Sequence, residues 1–575
     1  MKRMPFFDNP VLRTQLPTWR ARLVLILLSA GFLALIGRAL FLQGLSTEFL
    51  QQQGERRYER TLTLPATRGK ILDRNGVVLA SSVPARAVWA IPDDAREATP
   101  GQLQDLSRLL DLPVRDIQAR IAEDRNFVYI KRQVPMDVAD QVRALSVPGI
   151  HQQPETRRYY PENEVMAHVV GFTSVEDHGQ EGVELAFDKL LSGRDGSRRV
   201  IKDRLGRVIE DVRAVNLPVD GRDLRLSLDT RLQYLVYKAL KDAMEQHRAR
   251  AAAAVAIDVR TGEILALANL PSYDPNRRET LSGANLRNRA LTDTFEPGSI
   301  MKPFTAALAL DLGRITTSTL FDTGNGRFQY QGSTISDVSR NGVLDVAGIL
   351  RRSSNIGMTM ISERLQAQEM WNRFTELGLG QAPNTGFPGA AAGRLRPWER
   401  WRLIEKATMA YGYGLSVSLL QIARAYTVFA RNGDMVSLTL MKRDSEPTSV
   451  KVYTPAVAGR IRDMLEAAAG PDGAKLAQVQ GYRVAGKSGT ARKIVDGKYS
   501  KSLYRSSFVG FAPVSDPRVV VAVTIDEPQT GGYYGGKVAA PVFSSIVGGT
   551  LRMLDVQPDA AFESTVVAGA MEPAR

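Results

Sequence analysis

A serine and a lysine three residues apart, Ser299 and Lys302, stand in the segment Phe295-Glu296-Pro297-Gly298-Ser299-Ile300-Met301-Lys302-Pro303. Pro297-Gly298 breaks any preceding element, and helical apolar periodicity starts just after it, so Ser299 is expected at or near a helix N-terminus. Unpaired backbone N–H groups and the helix dipole there favour a developing negative charge. Residues three apart share a helix face, which brings the Lys302 amine beside the Ser299 hydroxyl. A lysine desolvated there can lose its proton and act as base to the serine, the chemistry of a covalent acyl-enzyme. This is the only Ser-x-x-Lys in the chain. Taken alone, it also fits a capping serine beside a solvated lysine.

Two further groups change that balance. Ser353-Ser354-Asn355 stands at the start of a helical pattern over 356–365, where the plain role would be an N-cap. Lys487-Ser488-Gly489-Thr490 follows a predicted strand over 482–486, where the plain role would be a lysine beside a turn. In the order S-x-x-K, S-x-N, K-S-G-T, the three form the active-site signature of the penicillin-interacting serine enzymes. Composition excludes the usual competitors. The chain has no cysteine, so thiol catalysis and Cys-ligated zinc are ruled out. Its four histidines end at His247, so a Ser-His-Asp triad housed in the C-terminal part is impossible.

The elements that must position these groups read as mixed α/β. An alternating strand is expected over 224–228 and a helix over 230–246, followed by strands at 252–258 and 263–268 joined at Thr261-Gly262. Helices are expected over 301–312, 346–365 and 419–430, and strands at 484–486, 507–511 and 519–525. A strand hairpin, several helices and two or three terminal strands predict an α+β unit with an antiparallel sheet covered by helices. Upstream, residues 56–218 mix short alternating runs with tight turns, Asn75-Gly76 among them, and helical periodicity over 100–123. A linker-like boundary falls near 216–221.

The 575 residues have room for about three or four domain-sized units, and the net charge is +14. Basic residues are spread along the chain without long like-charged runs, a pattern that does not point to nucleic acid. Residues 23–37 form a charge-free apolar run; with Arg38 snorkelling, 23–42 reaches the roughly 20 residues that a membrane span needs. No small-residue cleavage site follows, so an uncleaved anchor is expected. Lys2, Arg3, Arg13, Arg20 and Arg22 against Asp8 place the N-terminus in the cytoplasm and the bulk of the chain outside it.

Taken together, these motifs resemble the class B penicillin-binding proteins, and among them the division-specific, penicillin-binding protein 3 type. The catalytic part adds Asn288-Arg289-Ala290, Tyr411-Gly412-Tyr413-Gly414 with Gln421, and Tyr533-Tyr534-Gly535-Gly536 with Ala540-Pro541-Val542-Phe543. The N-terminal part adds Arg68-Gly69-Lys70-Ile71-Leu72-Asp73-Arg74-Asn75-Gly76, Arg158-Tyr159-Tyr160-Pro161 and Gly182-Val183-Glu184 with Phe187-Asp188. Ile300-Met301 depart from the family's usual pair, and Asn163 stands where a glycine is usual, though Asn tolerates the left-handed region.

The resemblance implies a cytoplasmic tail (1–22), a transmembrane anchor (23–43), an elongated non-catalytic pedestal of dimerisation type (44–220), a transpeptidase domain (221–558) and a tail (559–575). It implies a D,D-transpeptidase of the inner membrane that cross-links peptidoglycan stem peptides at the septum and is a target of β-lactams. Ser299 would attack the D-Ala-D-Ala carbonyl with Lys302 as base. Ser353 would relay a proton to the leaving D-alanine, supported by Lys487 and held by Asn355. The N–H groups of Ser299 and Thr490 would form an oxyanion hole, and Ser488, Gly489 and Thr490 would bind the substrate. No metal or organic cofactor is implied, and the expected partners are a glycan polymerase and other division proteins. Arg68, Asp73, Arg74 and Glu184 are expected either as a buried network holding two domains together or as a docking face. A β-lactamase, a β-lactam sensor or inactive scaffold, and a paralogue of wall elongation are the rival readings.

Overall fold

The computed structural model describes residues 17–45, 59–202, 208–281 and 283–560, so most of both expected tails, with Lys2, Arg3 and Arg13, lies outside the described residues. The chain divides into two compact units, Met1–Ala66 with Arg194–Asp220, and Thr67–Gly193 with Gly221–Arg575. In the first, the apolar segment Thr18–Gln43 forms a helix of 26 residues, long and apolar enough to cross a membrane, with its side chains outward. A three-stranded antiparallel sheet follows, Glu59–Leu64 beside Gly196–Lys202 beside Val208–Asn216.

The second unit begins with a sheet built on the long strand Val78–Ala90, flanked by Val128–Pro135 and Ile150–Tyr159. The tight turn expected at Asn75-Gly76 is present, with Gly76 at φ +91° and Asp73 accepting the N–H groups of Asn75 and Val77. The helical periodicity over 100–123 is split into Pro100–Leu110 and Val114–Ile121, because Asp111 turns left-handed and Pro113 cannot continue a helix. Asn163 adopts φ +43°, the backbone state that explains an asparagine at that turn.

Glu184 is fully buried and accepts from Arg68 at 2.8 Å and Arg158 at 2.7 Å. Asp73 accepts from the Thr230 hydroxyl at 2.9 Å, and Arg74 pairs with Glu263 at 3.1 Å. Two of the four residues thus knit 67–193 to the C-terminal part, whereas Arg68 and Glu184 are bound within 67–193. With Arg68, Asp73 and Glu184 buried, a docking face is excluded for them.

In the C-terminal part the elements that frame the site are helix α1 (Thr230–His247), strands β1 (Ala251–Asp258) and β2 (Ile264–Leu270), helices α2 (Lys302–Asp311), α3 (Val346–Arg352), α4 (Asn355–Glu363) and α5 (Leu419–Ala430), strands β3 (Ala485–Val495), β4 (Lys498–Ala512) and β5 (Val519–Asp526), and helix α6 (Gly535–Met553). The five strands form one antiparallel sheet in the order β2-β1-β5-β4-β3. Alternation along β1 divides it between two cores. Ala252, Ala254 and Ala256 meet α1 and α6 on one face, while Ala253, Val255 and Ile257 meet the α5 side on the other. Burial on both faces is why these strands read as continuous apolar runs.

Two expectations need correction. The helix expected over 346–365 is interrupted: Ser353 adopts φ +56°, and Ser354 starts a new helix by accepting the Gly357 N–H at 2.9 Å. The strands expected at 484–486 and 507–511 are parts of a long hairpin, β3–β4, because beyond Thr490 exposed positions mix Arg492 with Ile494, Val495 and Tyr499 and the alternation is lost.

Candidate active site

Gly298–Met301 forms a tight single turn and α2 begins at Lys302, so Ser299 sits one turn before the helix start. That turn is clamped on two sides. Gly298 donates to the Gly412 carbonyl at 2.9 Å, and a side chain at Gly412 would come within 2.1 Å of the Gly298 oxygen. On the other side a side chain at Gly489 would press on Ile300 and the Pro297 carbonyl, at 3.0 and 3.2 Å. Glycine at 489 lets β3 lie directly against the serine turn.

The left-handed Ser353 brings the second motif onto the first. Ser353 donates to Ser299 Oγ at 2.9 Å, and Lys302 Nζ donates to Ser353 Oγ at 3.1 Å and to its carbonyl at 2.5 Å. Among the described residues the hydrogen-bond chain runs Lys302–Ser353–Ser299, with the lysine reaching Ser299 through Ser353. Lys302 is completely buried; desolvation first, and then the nearby Lys487 charge, hold its amine well below the ordinary lysine range, against an opposing pull from Asp337. Lys487 is pushed down to about 8 by burial and donates to the Ser488 carbonyl at 3.1 Å.

Ser299, Ser353, Asn355, Lys487, Ser488 and Thr490 all line one cleft of about 900 Å³. Gly489 serves the same wall from behind. Asn355 turns its amide to the Ser336 carbonyl at 3.1 Å, not to Ser353. Asp337 escaped sequence reasoning. Its carboxylate accepts from Ser354 Oγ at 2.5 Å and from the N–H groups of Asn355 and Ile356, which fixes the Ser353 turn. It lies in a polar loop with no periodicity to mark it. Six cationic residues (Arg351, Arg352, Lys475, Lys487, Arg492, Lys537) and one acidic residue (Asp472) line the cleft, a field that draws in anionic ligands.

Two family models match this chain: the penicillin binding protein transpeptidase domain over residues 252–548, and the penicillin-binding protein dimerisation domain over 63–226. The chain belongs to the class B penicillin-binding proteins. Class B relatives agree along nearly the full length. The probable peptidoglycan D,D-transpeptidase PenA of Neisseria gonorrhoeae is 43% identical over 544 residues, 94% of this chain and 93% of the relative. The peptidoglycan D,D-transpeptidase FtsI of Escherichia coli K12 is 40% identical over 553 residues, 94% and 93% of the two chains. Among solved structures, the transpeptidase domain of penicillin-binding protein 3 from Burkholderia pseudomallei is 54% identical with a TM-score of 0.55, over 58% of this chain and 98% of that one. A peptidoglycan synthetase from Bifidobacterium adolescentis, 26% identical, superposes with a TM-score of 0.70 over 88% of this chain and 98% of its own. As a penicillin-binding protein, the chain has both the pedestal and the transpeptidase domain that its motifs implied.

Proposed function

We propose that this class B penicillin-binding protein is a serine D,D-transpeptidase that cross-links peptidoglycan stem peptides during septum formation, anchored by one helix with its catalytic part outside the cytoplasm. The observation that carries the reading is the chain Lys302–Ser353–Ser299, buried at its lysine end and open to the cleft at its serine end. Ser299 Oγ attacks the penultimate D-alanine carbonyl, and its proton moves toward the neutral Lys302 amine. Collapse of the tetrahedral intermediate breaks the peptide bond, and Ser353 hands a proton to the departing D-alanine nitrogen. An amine of a neighbouring stem then takes the acyl group and returns Ser299 to its starting state. β3 is an edge strand, so an extended stem peptide can align along Lys487-Ser488-Gly489-Thr490 with Lys487 and the hydroxyls of Ser488 and Thr490 at its carboxylate. The N–H groups of Ser299 and Thr490 would receive the oxyanion, worth about 3–4 kcal/mol for each donor. Asn355 would close the Ser353 side.

The division role is supported by the FtsI relative, and a glycan polymerase with other division proteins is the partner set we assign to it. The domain borders we propose are 23–43, 44–220 and 221–558. Mass spectrometry of the penicillin-treated protein tests the reading: the adduct is expected on Ser299, stable over hours and absent from S299A. An adduct elsewhere, or one released within minutes as in a β-lactamase, overturns it. A fluorescent fusion is expected at mid-cell; signal confined to the sidewall would assign the enzyme to elongation.

A further inference from the structure

Glu296 lies three residues before Ser299 and takes no part in the chemistry above. Its carboxylate is turned inward: Oε1 accepts the Gly414 N–H at 2.7 Å and the Tyr499 hydroxyl at 3.1 Å, while Oε2 is buried and has no hydrogen-bond partner among the described residues. Burial pushes this carboxyl above the usual carboxylate range, with the two hydrogen bonds opposing. A carboxylate buried with one oxygen unpaired is costly, and the serine turn does not need it for its own shape. Phe295 already pairs with Val417, and Gly298 is already bonded to Gly412.

What Glu296 adds is a link to the β3–β4 hairpin. Tyr499 stands near the hairpin tip, opposite Ile494, where Ile494, Val495 and Tyr499 are 53%, 44% and 48% exposed; Lys493 ties the inner part of β3 to Asp526 and Glu527, away from the serine turn. The root of that hairpin carries Lys487 to Thr490. Tyr413 packs edge-on to Tyr499 at 6.0 Å, donates to the Thr490 carbonyl at 3.5 Å and lines the cleft.

We propose that Glu296 is a positioning residue that latches the β3–β4 hairpin to the serine turn, and so holds Tyr413 and Thr490 at the distance from Ser299 that acylation needs. The latch rests on the transpeptidase reading.

The test uses the full-length chain in detergent and a fluorescent penicillin, measuring the acylation rate at saturation and the half-saturating concentration. Failure of the wild-type protein to label at Ser299 would count against the transpeptidase reading itself. With wild type labelled, E296A is expected to lose about tenfold in the saturating rate while the half-saturating concentration stays within about threefold. E296Q keeps an oxygen acceptor for Gly414 and Tyr499 and is expected to recover to within about threefold of wild type. Y499F removes one bond from an exposed hairpin; it is expected to cost about threefold alone and nothing further in the E296A background. Wild-type rates in E296A, additive losses in the double variant, or equal losses in E296A and E296Q that follow their melting temperatures would each overturn the latch.

Discussion

Ser353 donates to Ser299 at 2.9 Å while receiving the Lys302 amine at 3.1 Å, so a single hydroxyl stands between the proposed base and the proposed nucleophile. S353A removes that hydroxyl and leaves the backbone free to keep its turn, since Asp337 holds the neighbouring Ser354 and Asn355. Acylation by penicillin is expected to fall about 10²-fold, the scale of losing one positioned proton-transfer group, with the melting temperature little changed. Stopped-flow or quenched labelling measures it.

The pH dependence follows from the two lysines. Lys302 must be neutral to accept a proton, and burial with the Lys487 charge lowers its pKa, so the acylation rate rises as pH climbs through that lowered value. Lys487 must be charged, and burial brings it to about 8, so the rate falls above that pH. The profile is a bell with apparent values belonging to the pair. In K487A the descending limb is lost, and the ascending limb moves to higher pH because a charge that suppressed Lys302 protonation is gone. A profile for K487A with an unmoved ascending limb would contradict the assignment.

Gly535 begins α6 and donates its N–H to Thr490 Oγ1 at 3.0 Å. A methyl group there would lie 2.2 Å from the Gly489 oxygen and 2.4 Å from that of Ser507, both backbone atoms that cannot step aside. G535A is expected to displace β3 from the serine turn and to lower the acylation rate about tenfold or more. Labelling at saturating drug checks it.

Glu184 counters two buried guanidinium groups, Arg68 and Arg158. E184Q keeps the shape and removes the charge; Arg68 keeps Asp188 at 2.8 Å, while Arg158 loses its carboxylate and stays buried. A loss of about 3–5 kcal/mol in unfolding free energy is expected. Urea denaturation followed by fluorescence reads the loss, while the rate of penicillin labelling per folded molecule stays near wild type.

How much was legible beforehand depends on the range of the contacts. Local pattern sufficed for α5, whose bounds match the apolar period at 419–430, and for the apolar strands β1 and β5. It failed at 346–365, where the helical period runs straight through a break. The break exists because Asp337, sixteen residues upstream of Ser353, captures the Ser354 hydroxyl and the backbone beyond it. It also stopped short on β3 and β4, whose outer halves alternate too weakly to show a strand.

Residue types and their order along the chain were enough to point to the chemistry: a serine-type enzyme with no thiol, an amine as the proposed base in place of imidazole, and an apolar N-terminal segment of spanning length. Those are properties of composition and short spacing, and they survive without knowledge of the fold. Tertiary packing alone decided that the lysine reaches Ser299 by way of Ser353, that its amine is fully buried, and that Glu296, Asp337 and Gly535 hold the pieces in place. The reason is that each of those outcomes depends on atoms brought together from distant parts of the chain, where burial and direction, not spacing, set the energy.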